Sequence, residues 1–283
     1  MEEFPLIATI AAGFTAAWVL GLFTQWLRLS PIVGYLLAGV LIGPHTPGFK
    51  GDLNLAHQLA EVGVILLMFG VGLHFDLSDL VAVRAAAIPG ALAQTVAATL
   101  VSAVVFSWFG FDYKTGILIG VAISVASTVV LMRILMNADL LSSPAGHIAV
   151  GWSLVQDVIT VIVLVMIPVF GTGAVEAPEA GFWSSPLAAI AIALLKLAAL
   201  VGIVIVAGVR IVPWVLTKVA RLRSHELFTL TVMVFSIAMA AGSYVLFGAS
   251  MALGAFLAGM MVAQSPVSHQ AAADALPLRD AFA

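Results

Sequence analysis

The chain has 283 residues, of which 63% are hydrophobic and only 9% are charged. An average soluble domain carries about 25% charged residues, so a soluble globular protein, which could not clothe its surface with so few, is excluded. A net charge of −3 leaves no footprint for nucleic-acid binding, and the absence of cysteine excludes disulfides, thiol catalysis and Cys-based metal sites.

A membrane-spanning helix with its loop takes roughly 25–30 residues. The length therefore accommodates about nine to eleven spans and no separate soluble domain. Met1-Glu2-Glu3 lacks the basic start of a signal peptide, so the first apolar stretch is expected to be a retained helix. Nine spans are predicted, at 5–27, 31–43 (short), 56–73, 84–109, 113–136, 145–170, 185–212, 225–247 and 250–264. Breakers separate them: Ser30-Pro31, Gly43-Pro44 with Pro47-Gly48, Ser142-Ser143-Pro144, and the stretch from Pro178 to Pro186. A short amphipathic segment, Leu77 to Arg84, is expected at the interface before the fourth span.

Basic residues set the orientation. With the N-terminus outside, the inward ends hold Arg28, Arg84, Arg133, Arg210, Lys218, Arg221, Arg223 and Arg279. The outward side holds Lys50 and Lys114, and the outward loop 171–183 carries Glu176 and Glu179 without Lys or Arg. This bias predicts an outside N-terminus and a cytoplasmic C-terminus.

The second and ninth spans resemble each other. Ser30-Pro-Ile-Val-Gly34-Tyr-Leu-Leu37-Ala38-Gly39 aligns with Ser250-Met-Ala-Leu-Gly254-Ala-Phe-Leu257-Ala258-Gly259. The segments are seven spans apart and so cross in opposite directions, as an inverted-topology repeat requires. The expected organisation is a first repeat of six helices over 1–170, a connector helix over 183–222, and the start of a second repeat over 225–283.

An Asp at the centre of a span costs about 2.5–3.5 kcal/mol on insertion scales, which makes it a functional candidate. Asp157 is such a residue, near the middle of the sixth span. Helical spacing puts Ser153 and Thr160 on its face, with Gln156 about 100° round the helix and able to orient the carboxylate or bind a neighbour. The bland alternative is a buried Asp that serves packing alone. The fifth span gathers Ser124, Ser127 and Thr128 at mid-membrane depth. Their hydroxyls can replace helical backbone bonds, so the helix can unwind there and expose carbonyl oxygens as ligands for a small hard cation; alternatively they line a helix–helix contact. Lys196, near the centre of the seventh span, could pair with a carboxylate, sit in the core, or snorkel along its stem. Glu61 falls near the outer interface, and the six histidines have no metal-ligand spacing. There is no His-Glu-x-x-His, Gly-x-Ser-x-Gly or nucleotide fingerprint, so an enzyme is not expected.

Four stretches carry a family likeness: Val33-Gly-Tyr-Leu-Leu-Ala-Gly-Val-Leu-Ile-Gly-Pro44, Glu61-Val-Gly-Val-Ile-Leu-Leu-Met-Phe-Gly-Val-Gly-Leu73, Ser127-Thr128-Val-Val, and Gln156-Asp157. They resemble the cation–proton antiporter-2 family, most closely its Kef-type bacterial potassium–proton antiporters. The tail Pro277-Leu-Arg-Asp-Ala-Phe-Ala283 is similar to the family segment that leads into the next helix. The resemblance implies an all-α, inverted-repeat fold of thirteen helices, usually homodimeric, in the bacterial inner membrane. It implies that Asp157 binds cation and proton, with Gln156 as its neighbour and Ser127 and Thr128 on the unwound helix. A Gln-Asp pair in this family suggests potassium and one-for-one exchange, where two adjacent Asp go with electrogenic sodium exchange. Two departures are expected: nine spans would stop short of the second crossing helix, and the family's nucleotide-binding regulatory domain would lie outside this chain, so no cofactor is expected in it. Relatives often carry Arg where this chain has His225.

The function expected is monovalent cation–proton antiport, with potassium leaving as a proton enters by competition at Asp157, which would hold the cation only transiently. The alternatives are a sodium–proton antiporter, an organic-anion carrier on the same fold, or a truncated fragment or assembly partner that does not transport alone.

Overall fold

In a computed structural model, residues 5–75, 77–171 and 186–282 are described, and they form helices joined by short turns, without a strand among them. The loop with Glu176 and Glu179 and the start Met1-Glu2-Glu3 lie outside the described residues. Packing divides the chain into two units, one reaching Gly63 and the other running from Val64 to Ala281.

The first unit is built on a hairpin of α1 (Pro5–Trp26) and α2 (Pro31–Leu41). Arg28 turns the chain at φ 60°. Ser30 then caps α2 by accepting from the Ile32 N–H at 3.4 Å, with Pro31 fixing the first helical φ. Glycine lets the two helices touch: a Cβ on Gly34 would collide with the Leu20 carbonyl, and one on Gly21 would stand 2.7 Å from the Tyr35 ring. At the other end of the hairpin the Thr9 hydroxyl accepts from the Asp52 N–H at 3.1 Å. The Asp52 carboxylate in turn accepts from Asn54 and Leu55, which starts α3 (Leu53–Gly72).

The second unit takes up α3 at Val64. It continues through α4 (Leu77–Trp108), α5 (Tyr113–Ser124), α6 (Thr128–Asn137) and α7 (Pro144–Gly171). After the residues that are not described come α8 (Pro186–Val206), a π-helical turn (Ala207–Ile211), α9 (Val212–Arg221), α10 (His225–Phe247), α11 (Met251–Ala263) and α12 (Ser268–Phe282). Every residue of α11 from Leu253 to Val262 is buried, as befits a helix that is apolar all round. Phe69, Met132, Phe228 and Phe256 fill the core around it. In lipid there is little hydrophobic gain in joining helices, so close approach at small residues does that work. Gly72 of α3 and Gly259 of α11 face each other so closely that a Cβ on either would strike the Phe256 or the Phe69 carbonyl. Gly116 and Gly120 of α5 press on α4 at Ala103 and Thr99, and Gly90 of α4 receives the Trp152 ring of α7.

Among the described residues, five helical segments are long and apolar enough to cross a membrane: α1, α3, α4, α5 with α6, and α10; α2 and α11 are shorter apolar helices. Two details differ from the sequence expectation. The segment from Leu77 to Arg84 forms the first two turns of α4, continuous with the fourth span, because no breaker divides it from the residues that follow. The stretch read as one span over 185–212 contains the π turn. Pro213 cannot donate to the carbonyl four residues back and its ring crowds that carbonyl, which a wider turn relieves.

Candidate cation site

The fifth span breaks where its hydroxyls are concentrated. α5 ends at Ser124, three residues follow without helical pairing, and α6 starts at Thr128. Val125 (φ −82°, ψ 112°) and Ser127 (φ −68°, ψ 110°) are extended. Both broken ends are closed by serine. The Ser124 hydroxyl donates to the Val121 carbonyl at 2.7 Å, and the Ser127 oxygen accepts from the Val130 N–H at 3.4 Å. A break of this kind sets the negative end of one half-helix near the positive end of the next.

The sixth span supplies the partners. On α7, the Ser153 hydroxyl is paired with the Thr128 hydroxyl at 2.7 Å, and both side chains are buried. The half-buried Asp157 carboxyl stands beside Thr128. Gln156, only 3% exposed, reaches into the break: its Nε2 donates to the Ser124 carbonyl at 3.0 Å, and its Oε1 accepts from the Ala126 N–H at 3.4 Å. Asp157 has no ion-pair partner among the described residues. An ion pair joins His225 to Asp274 at 3.6 Å, where α10 meets α12, and the Thr229 hydroxyl also donates to Asp274 at 2.7 Å.

The structure thus brings together Ser124, Thr128, Ser153, Gln156 and Asp157, with Ser127 capping the adjacent helix. Thr160 shares the helix face, but its hydroxyl donates to the Gln156 carbonyl at 2.9 Å, along its own helix. Lys196 stands exposed on α8. One participant is absent from the sequence reading: Gln94 of α4 donates to the same Ser124 carbonyl at 2.9 Å and accepts from the Gln156 amide. The signal available for it was the one carboxamide side chain of the fourth span.

No group of three His, Cys, Asp or Glu side chains suited to a metal ion occurs among the described residues. The polar groups gathered here are one carboxylate, hydroxyls, backbone carbonyls and two carboxamides, whose oxygens suit a weakly held hard cation.

The family model described as "Sodium/hydrogen exchanger, transmembrane" matches residues 12–283. The chain belongs to this family. Over 279 residues it is 50% identical to the "Putative cation/proton antiporter YbaL" of Escherichia coli, a match covering 99% of this chain and 50% of that protein. It is 47% identical over 274 residues to the "Uncharacterized protein in phaC 3'region" of Methylorubrum extorquens, covering 93% of this chain and 98% of that one. The "Glutathione-regulated potassium-efflux system protein KefC" of Klebsiella pneumoniae is 30% identical over 281 residues, with 99% of this chain and 43% of KefC covered. The likeness to Kef-type antiporters noted in the motifs is thereby borne out. The chain spans about half the length of the antiporter relatives it matches.

Proposed function

We propose that this chain is the ion-translocating part of a monovalent cation–proton antiporter in which potassium leaves the cell as a proton enters. The observation that carries the reading is the Asp157 carboxyl, without an ion-pair partner among the described residues, set beside a broken helix. A lone carboxylate at membrane depth must be neutralised, and a proton or a monovalent cation can each do so. The two compete for one group, and a cycle that carries one cation out and one proton in moves no net charge. Thr128 and Ser153 hydroxyls supply neutral oxygen donors next to it.

In this reading residues 1–170 form the first inverted repeat, 183–222 the connector and 225–283 the start of the second. What supports it locally is the parallel between α2 and α11. Each begins after a serine whose oxygen accepts a backbone N–H, from Ile32 in one case and Leu253 in the other. Each then carries a glycine four residues on, Gly34 or Gly254, pressed against the preceding helix. Alternating access arises as core helices rock and expose Asp157 to each side in turn. The protein is placed in the bacterial inner membrane as a homodimer, with the N-terminus outside and the C-terminus cytoplasmic. No cofactor is assigned to this chain. Potassium is favoured over sodium because the Gln156-Asp157 pair resembles that of Kef-type members and a matching relative is named for potassium efflux.

The test uses the full-length protein in proteoliposomes, with internal pH followed as potassium or sodium is added outside. Potassium should drive proton movement, and Asp157→Asn should abolish it while the protein stays monodisperse. Undiminished exchange in that variant would sink the assignment, and a response to sodium alone would replace the cation.

A further inference from the structure

The Ser124 carbonyl is the last of α5, where unpaired carbonyls collect the negative end of the half-helix dipole. Left bare, such a group is a ligand for water or for a cation. Here it receives two amide donors, Gln94 Nε2 at 2.9 Å and Gln156 Nε2 at 3.0 Å. The second Gln156 hydrogen goes to the Gln94 oxygen, and the Gln156 oxygen takes the Ala126 N–H. A carbonyl has two lone pairs and an amide two hydrogens, so the Ser124 oxygen is saturated and Gln156 has no donor left. Both amide orientations follow from the backbone, since the Ser124 oxygen only accepts and the Ala126 N–H only donates. Three helices, α4, α5 and α7, are joined through this one carbonyl.

We propose that Gln94 is a positioning residue for cation exchange: with Gln156 it forms an amide clasp that fixes the broken end of α5 and keeps the Ser124 carbonyl out of the cation's coordination shell. The inference rests on the reading of Asp157 as the shared carboxylate. Gln156 then serves the site by holding the break, and the cation takes its oxygens from Asp157 and the hydroxyls next to it. Without Gln94, a Gln156 hydrogen and a lone pair on Ser124 are released beside the site. The geometry around Asp157 loosens, and the freed carbonyl offers a further ligand with little regard for ion size.

The experiment measures cation-driven exchange by the full-length protein in proteoliposomes for Gln94→Leu, Gln156→Leu, the double variant and Asp157→Asn. Gln94→Leu should raise the cation concentration for half-maximal exchange about tenfold and leave the maximal rate within about twofold, as expected for one lost hydrogen-bonding partner. It should also narrow the preference between potassium and sodium. The double variant should be no worse than Gln156→Leu alone, because both amides act through one carbonyl. An unchanged half-saturation, a fall in maximal rate alone, or strictly additive effects would each overturn the proposal. Should Gln94→Leu fail to fold, Gln94→Asn, which keeps the amide but shortens its reach, must show the same shift in lesser degree; an unshifted Gln94→Asn overturns it too. If Asp157→Asn is inactive while the Gln94 variants exchange normally, only this inference falls. Normal exchange by Asp157→Asn removes the functional reading and this inference together.

Discussion

Two places in the unit that begins at Val64 hold helix backbones in close contact, and they do so by opposite chemistry. Where α3 meets α11, Gly72 and Gly259 bring carbonyls and α-carbons together with no side chain between them. Where α5 breaks, side-chain amides from α4 and α7 hold the backbone at Ser124, and the Ser153 hydroxyl of α7 pairs with the Thr128 side chain. Backbone against backbone has one fitting geometry, so it makes a scaffold. Hydrogen-bonded amides and hydroxyls can exchange partners for water or an ion at small cost. In lipid, where packing drives helix association, the polar contact is not needed for cohesion. Its position beside Asp157 fits the exchange role proposed above.

The largest effect is expected at the glycine contact. Gly259→Val should destabilise the protein by about 3 kcal/mol, because overpacking here has no flexible neighbour to displace. Thermal melting in detergent, followed by size exclusion, reads the loss, and a variant that melts with the parent would refute the scaffold role. A middle-sized effect is expected at the polar contact. Thr128→Val keeps the shape but leaves the buried Ser153 hydroxyl without its partner, costing about 1–3 kcal/mol. Exchange should fall with it, and Thr128→Ser should restore both melting and exchange; equal behaviour of Val and Ser would show that the hydroxyl pair is idle. The smallest effect is expected at Ser243, whose hydroxyl is buried without a hydrogen-bond partner among the described residues and lies against Gly254. Ser243→Ala should change the melting free energy by less than about 0.5 kcal/mol or raise stability slightly, since no hydrogen bond is lost. A clear destabilisation would mean that the hydroxyl has a partner in the membrane.

Much of the site was legible in the residues. Three hydroxyls in five residues marked the break, because serine and threonine offer the backbone alternative partners, and a mid-span carboxylate is too costly to be incidental. Helix limits at Pro31 and Pro144 followed from ordinary start chemistry. Gln94 was not legible as a participant, since its partners are 30 and 62 residues away and no local spacing announces them. Thr160 shows the converse: periodicity placed it on the right face, but whether a hydroxyl turns to a neighbour or to its own helix depends on rotamer and packing, which spacing does not encode.

The π turn has a consequence for how one long rod can face a single neighbour. Leu200, Val204, Gly208, Val212 and Leu216 are all buried, and they recur at every fourth position. On an ideal α-helix each such step drifts about 40°, so five positions would wind about 160° around the rod and carry the last of them toward lipid. A turn that takes in one more residue per bond subtracts from that drift. It returns Val212 and Leu216 to the side that meets α10 and α11. The turn thus works as a vernier, keeping a four-residue repeat straight along a 3.6-residue helix.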